Sequence, residues 1–156
     1  MEEDPCSPCS VRIKIKRLKG NEKGPLPTYM SEHAAGLDVC AFLDEDVLIG
    51  TGERRLIPTG LTVAIPEGFE IQVRPRSGLA MRDGLTLVNT PGTIDADYRG
   101  EIGILMINHG EKPVAIRNGQ RIAQLVVSKV YRAELEEVDE LPTSDRQEGG
   151  FGHTGS

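Results

Sequence analysis

The sequence predicts an all-β domain. Short apolar runs recur along the chain between Gly- and Pro-containing turns, which is the pattern of many short strands. Apolar and basic residues alternate near the N-terminus with the period of a half-buried strand, and only one stretch favours a helix. At 156 residues with 38% apolar side chains, the chain has the size of one domain with a modest core.

The first predicted strand lies within residues 11–18, where Val, Ile and Leu alternate with Arg and Lys over most of the length. Further strands are predicted at the apolar runs 47–49, 55–57, 61–65, 69–73, 85–89, 102–107, 114–116 and 122–130. Turn residues punctuate these runs at 66–68 and 118–119, and residues 108–111 indicate a hairpin loop. Residues 77–82 predict a short helix, and no internal repeat is visible.

The charge of the chain is acidic, with a net value of −6. Most of this negative charge lies between positions 131 and 148, where seven acidic residues are accompanied by only two basic residues, Arg132 and Arg146. This balance argues against general affinity for nucleic acid or for an anionic membrane. The N-terminus is acidic and lacks an apolar segment, and no apolar run approaches the length of a membrane span. We therefore expect a cytoplasmic protein with neither nucleic acid nor membrane as a partner.

The three cysteines give no disulfide framework. Cys6 and Cys9 have the C-x-x-C spacing of redox motifs, but their polar surroundings lack the strand and helix that tune a thiolate, and one pair cannot complete a four-ligand zinc site. The predicted organisation is a disordered tail at 1–10, a β domain at 11–131, and an acidic linker with a glycine-rich flap at 132–156.

The last ten residues place one aromatic ring, Phe151, inside a glycine- and hydroxyl-rich run. A structureless end is the simplest interpretation, since glycines lose much entropy on ordering. A flap over phosphates and a base also fits, because glycine-rich backbone binds anions, Arg146 can fork onto phosphate and Phe151 can stack. A Walker P-loop does not fit, because no Lys precedes the hydroxyl residue and no helix follows.

Four internal clusters of polar residues are not needed simply to form a β-sandwich. Residues 75–80 place Arg76, Ser77 and Gly78 at the start of the predicted helix, where free N–H groups favour an anion. Residues 89–100 predict a hairpin with Asp95, Asp97, Tyr98 and glycines near both ends. Residues 35–38 form a third cluster, which adds a carboxylate. Residues 119–125 form a fourth cluster, which adds an Arg and glutamines. Taken alone, each cluster is equally compatible with capped turns and surface charge.

Together with the tail, these clusters resemble, in order, the five motifs of the trimeric dUTPases, the deoxyuridine triphosphate nucleotidohydrolases. The resemblance runs from about Ile13 to Ser156. Two positions depart from the usual pattern: Gln147 stands where the family has Gly, and His153 where Ser is commoner. The resemblance implies a jelly-roll β-sandwich with a flexible C-terminal arm, assembled as a homotrimer whose subunits share active sites.

The implied reaction is hydrolysis of dUTP to dUMP and pyrophosphate with Mg²⁺, which keeps uracil out of DNA and supplies dUMP for thymidylate synthesis. By the resemblance, Asp95 is the general base for water attack on the α-phosphate and Asp38 reaches the metal through water. The substrate-binding residues it implies are Arg76, Ser77, Gly78, Asn89, Gly92, Thr93, Ile94, Asp95, Tyr98, Gly103, Gln124, Arg146, Phe151, Gly152, His153 and Thr154. Two alternatives stay open: a dCTP deaminase-type enzyme of the same fold, and a non-catalytic nucleotide-sensing protein.

Overall fold

The protein was analysed as a computed structural model, which describes residues 10–149. The predicted N-terminal tail, except for Ser10, and the four predicted ligands Phe151, Gly152, His153 and Thr154 lie outside this range. Twelve strands and one helix form within it: β1 (Lys14–Arg17), β2 (Thr28–Tyr29), β3 (Leu37–Cys40), β4 (Val47–Ile49), β5 (Arg54–Pro58), β6 (Leu61–Ala64), β7 (Phe69–Pro75), α1 (Ser77–Asp83), β8 (Leu85–Leu87), β9 (Gly92–Ile94), β10 (Gly103–Asn108), β11 (Val114–Ile116) and β12 (Arg121–Lys129).

Antiparallel pairing joins these strands into the jelly roll that the resemblance implied. The largest sheet has the order β2-β3-β12-β7-β9, a second has the order β5-β10-β8, and two ribbons pair β1 with β6 and β11 with β4. One core of Ile, Val, Leu, Ala and Met side chains lies between them, and its most enclosed members include Ile57, Ile104 and Ile116. The prediction of an all-β domain is confirmed.

The longest strand, β12, organises the large sheet because it pairs on both edges. Its residues Leu125 and Ala123 oppose Leu37 and Val39 of β3 on one side, while Ala123 to Lys129 oppose Pro75 to Phe69 of β7 on the other. A register shift between Arg121 and Ala123 interrupts the β3 ladder. Such an irregularity bends a strand and re-aims its side chains.

Three strands were not predicted from the sequence: β2, β3 and β9. Two of them are only two or three residues long, too short to show a period of two. The third, β3, is only four residues long and contains a carboxylate, Asp38, that becomes buried in the folded protein. Tertiary pairing, rather than local propensity, therefore determines these strands.

The hairpin predicted at residues 108–111 is wrong. Strand β10 pairs with β5 and β8, whereas β11 pairs with β4, so this loop connects two different sheets. The buried Asn108 side chain directs the crossing: its Nδ2 donates to the Ile49 and Lys112 carbonyls at 3.0 and 2.8 Å, and its Oδ1 accepts from Gly110 N at 2.8 Å. A polar sequence such as that of residues 108–111 occurs both in hairpin loops and in loops that connect two sheets, so it does not distinguish the two.

The hairpin predicted at residues 89–100 also needs correction. The antiparallel pair is formed by the flanking strands β8 and β10, with Leu87 opposite Met106, and residues 89–102 are their long connection. Within that connection β9 leaves the pair and joins β7 instead. The two arms of the segment therefore do not form a ladder with each other.

The helix predicted at residues 77–82 is confirmed as α1 and ends one residue later. Gly84 terminates it with φ +70°, and a Cβ added there would lie 2.4 Å from Gly110 N. Glycine is required at this position for both its conformation and its close approach to the neighbouring loop. Among residues 10–149, no helix is long and apolar enough to cross a membrane.

Asn108→Ala should lower the free energy of unfolding by roughly 2–4 kcal/mol, because the buried Ile49 carbonyl loses its partner at a cost of about 1–3 kcal/mol, and the two part-buried groups, on Lys112 and Gly110, lose hydrogen bonds that water partly replaces. Urea denaturation at one fixed protein concentration measures this loss. The matched control is Asn118→Ala, which removes one exposed hydrogen bond from Leu43 N to the side-chain Oδ1 of Asn118. Equal losses in the two variants would mean that the Asn108 network does not hold the crossing.

Candidate active site

A buried carboxylate, Asp38, forms the centre of the first functional cluster. Its Oδ2 lies 3.2 Å from Arg76 Nε and 3.1 Å from Arg121 Nη1, and its Oδ1 accepts a hydrogen bond from Gln124 Nε2 at 3.0 Å. The Asp38 side chain is only 3% exposed. We call these four residues the Asp38 cluster. Burial of a charge on this scale requires such partners, because an isolated carboxylate would be strongly destabilised.

The sheet register explains why these side chains meet. Asp38 of β3 lies directly opposite Gln124 of β12, and directly opposed residues on antiparallel strands have neighbouring side chains. Arg76 follows immediately after β7, whose last residue, Pro75, opposes Ala123. The sequence-predicted residues Asp38, Arg76 and Gln124 are thus brought together by three adjacent strands.

The Asp38 cluster borders a small cavity of about 190 Å³. Ser77 and Gly78, at the start of α1, line the same cavity, as does the exposed side chain of Met30. Two guanidinium groups against one carboxylate give this cavity a net positive charge. The arrangement suits an anion, and the planar forks of Arg suit phosphate oxygens in particular.

The Cys40 thiol lies on the same strand as Asp38, two residues further on. Partial burial raises the pKa of this thiol, and Asp38 adds to the rise while Arg121 and Arg76 oppose it. The protonated thiol therefore predominates at neutral pH. Cys40 is the free cysteine within residues 10–149.

The Asp38 cluster fits a divalent metal only through water. A carboxylate has about four lone-pair directions, and here two guanidinium contacts and one amide contact occupy three of them. Residues 10–149 contain no group of three or more His, Cys, Asp or Glu side chains placed to hold a metal ion. Magnesium commonly keeps several waters and relies on substrate phosphates, so one remaining acceptor position is compatible with it.

A second cluster lies in the connection after β9, in residues 95–99, which we call the Asp95 turn. Tyr98 N donates to Asp95 O at 3.1 Å, and Arg99 Nη1 donates to the carbonyls of Ala96 and Tyr98 at 2.7 and 2.8 Å. The side chain of Asp95 is exposed and borders a cavity of about 800 Å³. The turn therefore presents a free carboxylate from a rigid backbone.

Contacts from strand β6 and from the residue that precedes it hold the Asp95 turn in place. Thr62 Oγ1 donates to Arg99 O at 2.8 Å, and Gly60 N donates to the Glu101 carboxylate at 2.7 Å. The hydroxyl of Tyr98 donates to the Glu101 carbonyl at 2.9 Å, while the ring stays 46% exposed. Glu101 was not identified from the sequence, since a single Glu between strands carries no signal of its own.

The predicted base-binding residues surround β9. Gly92 and Ile94 are buried against β7, Thr93 is exposed between them, and β9 is the outermost strand of its sheet among the described residues. Asn89 is exposed, and its amide nitrogen would lie 3.1 Å from a Cβ added to Gly92. Gly103 begins β10, where an added Cβ would come within 2.8 Å of Leu56. A side chain at Gly92 would press on Asn89 and Val73, and one at Gly103 would displace the exposed Leu56 side chain.

One chain does not bring its two clusters together. Ile94 opposes Ile71, so Asp95 follows at about the level of Glu70, near the Phe69 end of β7, whereas Arg76 follows the other end. The two positions are about six residues apart along β7, which corresponds to roughly 20 Å at about 3.3 Å per residue. Asp38, Arg76, Ser77, Gly78 and Gln124 form one group, and Asp95 and Tyr98 belong to another.

Arg146 belongs to neither group in the described structure. Its Nε donates to the Gly149 carbonyl at 2.6 Å, within the exposed stretch that follows β12. The neighbouring Gln147, which departs from the usual motif, has φ +44°. Glycine adopts this left-handed conformation more readily than glutamine does.

Residues 22–155 match the family described as dUTPase. The deoxyuridine 5'-triphosphate nucleotidohydrolase of Syntrophotalea carbinolica is 59% identical over 146 residues, which cover 94% of this chain and 98% of that protein. The enzyme of the same name from Caldanaerobacter subterraneus subsp. tengcongensis is 53% identical over 146 residues, covering 94% and 99%.

Solved structures show the same relationship at lower identity. The dUTPase of Staphylococcus bacteriophage 80alpha, with dUPNHPP, has a TM-score of 0.81 and 28% identity, covering 93% of this chain and 99% of that chain. A mutant dUTPase from phage phi11 of S. aureus, described with a structural Mg(II) ion, has a TM-score of 0.74 and 25% identity, covering 85% and 99%. With most of the sequence matched and two relatives more than half identical, the chain belongs to the dUTPase family.

Proposed function

We propose that the protein hydrolyses dUTP to dUMP and pyrophosphate. The observation that carries this proposal is the Asp38 cluster, which supplies a partly enclosed cationic cavity beside Ser77 and Gly78. Membership of the dUTPase family and the names of its relatives support the same reaction. Arg76, Ser77, Gly78 and Gln124 are assigned to the phosphate chain.

Asp95 is the proposed general base. Its exposed carboxylate can accept a proton from a water molecule as that water attacks the α-phosphorus, and pyrophosphate is the leaving group. A positioned base of this kind contributes about 10²–10⁴-fold to the rate. Asp97 lies two residues away on the same turn and is also exposed, which makes it a matched comparison.

Uracil recognition is assigned to the edge of the large sheet. An edge strand presents backbone N–H and C=O groups that have no partner within the sheet, and β9 is such a strand. The donor and acceptor pattern of a pyrimidine can be read by Gly92, Thr93 and Ile94 along this edge, together with Asn89 and Gly103. Tyr98, whose hydroxyl donates to the Glu101 carbonyl, is assigned to support the deoxyribose and exclude a 2′-hydroxyl.

The resemblance assigns the remaining contacts to Mg²⁺ and to the C-terminal flap. When bound, Mg²⁺ would neutralise charge on the phosphate oxygens, with Asp38 contacting it through water. Arg146 would reach the phosphate chain, Phe151 would stack on uracil, and Gly152, His153 and Thr154 would enclose the terminal phosphate. These assignments rest on the motif order, and Phe151, Gly152, His153 and Thr154 lie beyond residue 149.

A homotrimer with shared sites would reconcile the separation of the two clusters. If one subunit supplies the Asp38 cluster and another the Asp95 turn, the distance of roughly 20 Å within one chain is no obstacle. The outer face of the β5–β10–β8 sheet fits a contact between copies, since Leu56 is 66% and Val88 46% exposed and Leu105 opposes Leu56. This apolar row continues directly into Asn89.

A nucleotide panel tests the proposed function. We expect pyrophosphate release from dUTP and Mg²⁺, with little or none from dCTP, UTP or dTTP, measured by a coupled pyrophosphate assay. Deamination of dCTP would instead favour a dCTP deaminase-type enzyme. Tight binding of a dUTP analogue without turnover would favour a nucleotide sensor.

Asp95→Asn should reduce turnover by at least about 10²-fold, because the amide cannot accept the proton, while affinity for a non-hydrolysable dUTP analogue stays close to that of the parent protein. Steady-state kinetics and calorimetric titration measure the two quantities. Asp97→Asn serves as the control and should retain most of the activity. The opposite ranking of the two variants would move the base to Asp97.

Mixing two inactive variants tests the shared site. Co-refolded Asp95→Asn and Arg76→Gln chains should recover activity, because about one quarter of the sites in randomly assembled trimers then combine two intact halves. The control mixture pairs Arg76→Gln with Gln124→Ala, which damage the same half and should stay inactive. Failure of the first mixture to exceed the second would place the whole site within one chain.

A further inference from the structure

Arg121 is the one charged member of the Asp38 cluster to which neither the sequence motifs nor the proposed mechanism assign a role. It begins β12 at the irregularity in the β3 ladder, opposite Cys40. Its side chain is 43% exposed and borders the same cavity as Arg76, Ser77 and Gly78. It is therefore close enough to affect whatever occupies that cavity.

Arg121 is connected to Arg76 in two ways. Its own carbonyl accepts a hydrogen bond from Arg76 Nη1 at 3.2 Å. Its guanidinium Nη1 and Arg76 Nε both contact Asp38 Oδ2, at 3.1 and 3.2 Å. The Arg76 guanidinium is thus fixed by two of its nitrogen atoms, one through a backbone group of Arg121 and one through a carboxylate that the two arginines share.

The shared carboxylate determines how much positive charge Arg76 can offer to a ligand. If Arg76 paired with Asp38 alone, the pair would be close to neutral and would attract an anion weakly. With Arg121 on the same oxygen, one negative charge is divided between two cations, and the three groups together carry one net positive charge. The low exposure of Asp38 strengthens this effect, since water screens it little.

We propose that Arg121 is a positioning residue that keeps Arg76 oriented and cationic toward the phosphate chain by sharing Asp38. The proposal deepens the proposed function, because it assigns Arg121 to the phosphate half of the same site. It requires that the contribution of Arg121 pass through Asp38 and not through direct contact with phosphate.

Calorimetric titration of the full-length protein with inorganic tripolyphosphate, a non-hydrolysable dUTP analogue and dUMP tests the proposal. Arg121→Gln should weaken tripolyphosphate and the analogue by about tenfold, the scale of one charge-assisted interaction, and should change dUMP by less than about threefold. The matched control is Arg117→Gln, which removes an equal charge from an arginine that is 77% exposed and 3.6 Å from Asp46. It should change all three affinities by less than about twofold.

A double-mutant cycle identifies the route. In an Asp38→Asn background the shared charge is absent, so a further Arg121→Gln change should cost less than about twofold. A full tenfold loss in that background would show direct contact with phosphate and overturn the proposal. Equal losses for dUMP and tripolyphosphate, accompanied by a lowered melting temperature, would show a structural role instead.

The variant Arg121→Lys tests charge sharing without requiring that the Asp38→Asn variant fold. Lysine retains the cation that competes for Asp38, so tripolyphosphate affinity should recover to within about threefold of the parent protein. If Lys and Gln weaken binding equally, charge sharing is wrong. Because tripolyphosphate contains no base, its binding stays informative even if the nucleotide panel shows no dUTP hydrolysis.

Discussion

The carboxylate of Asp38 is the constraint on which the phosphate side of this protein depends. A charge that is only 3% exposed must be matched by nearby donors, and its three donors come from two segments: Arg76 from the residue after β7, and Arg121 and Gln124 from β12. Each of those donors is consequently held in one orientation. The site is preorganised because any donor that pointed away would leave the buried carboxylate unpaired. The interactions that stabilise the fold therefore also orient the side chains around the cavity.

Strand β7 links the two halves of the chemistry and also separates them. Arg76 follows its C-terminal end, and its pairing with β9 places the Asp95 turn at the other end. The strand is rigid over this length because β12 pairs along it from Phe69 to Pro75. Because one copy of the chain keeps the two clusters apart, the proposed function assigns the two halves of one site to different copies.

Much of the fold was predictable because apolar runs between turns report directly on buried strands. Residues 47–49 and 114–116 were predicted with their correct bounds, and the helix was misplaced by a single residue. The sequence could not predict β3 or β9, because runs of four and three residues are too short to establish a period of two. The proposed boundary at residue 131 stays a prediction; β12 ends at Lys129, and residues 131–149 form neither strand nor helix.

The sequence predicted which residues belong to the candidate site better than it predicted how these residues contact one another. Motif order brought Asp38, Arg76 and Gln124 onto one list, and the structure places them in contact. The partnership of Arg121 was not predictable, because it depends on a register irregularity between Arg121 and Ala123 that no local signal marks. The hydrogen bonds from Thr62 and Gly60 to the segment after Asp95 were likewise not predictable, because they join distant parts of the sequence.

The short length of β9 has a consequence for how the free protein behaves in a crowded solution. An open sheet edge invites other chains to add a strand, and a long edge is a route to aggregation. The three residues of β9, to which the proposed function assigns base recognition, offer an incoming strand only a fraction of the ladder it would need to stay attached. The short length of this edge therefore disfavours self-propagating assembly while leaving enough backbone for the proposed recognition of a small ligand.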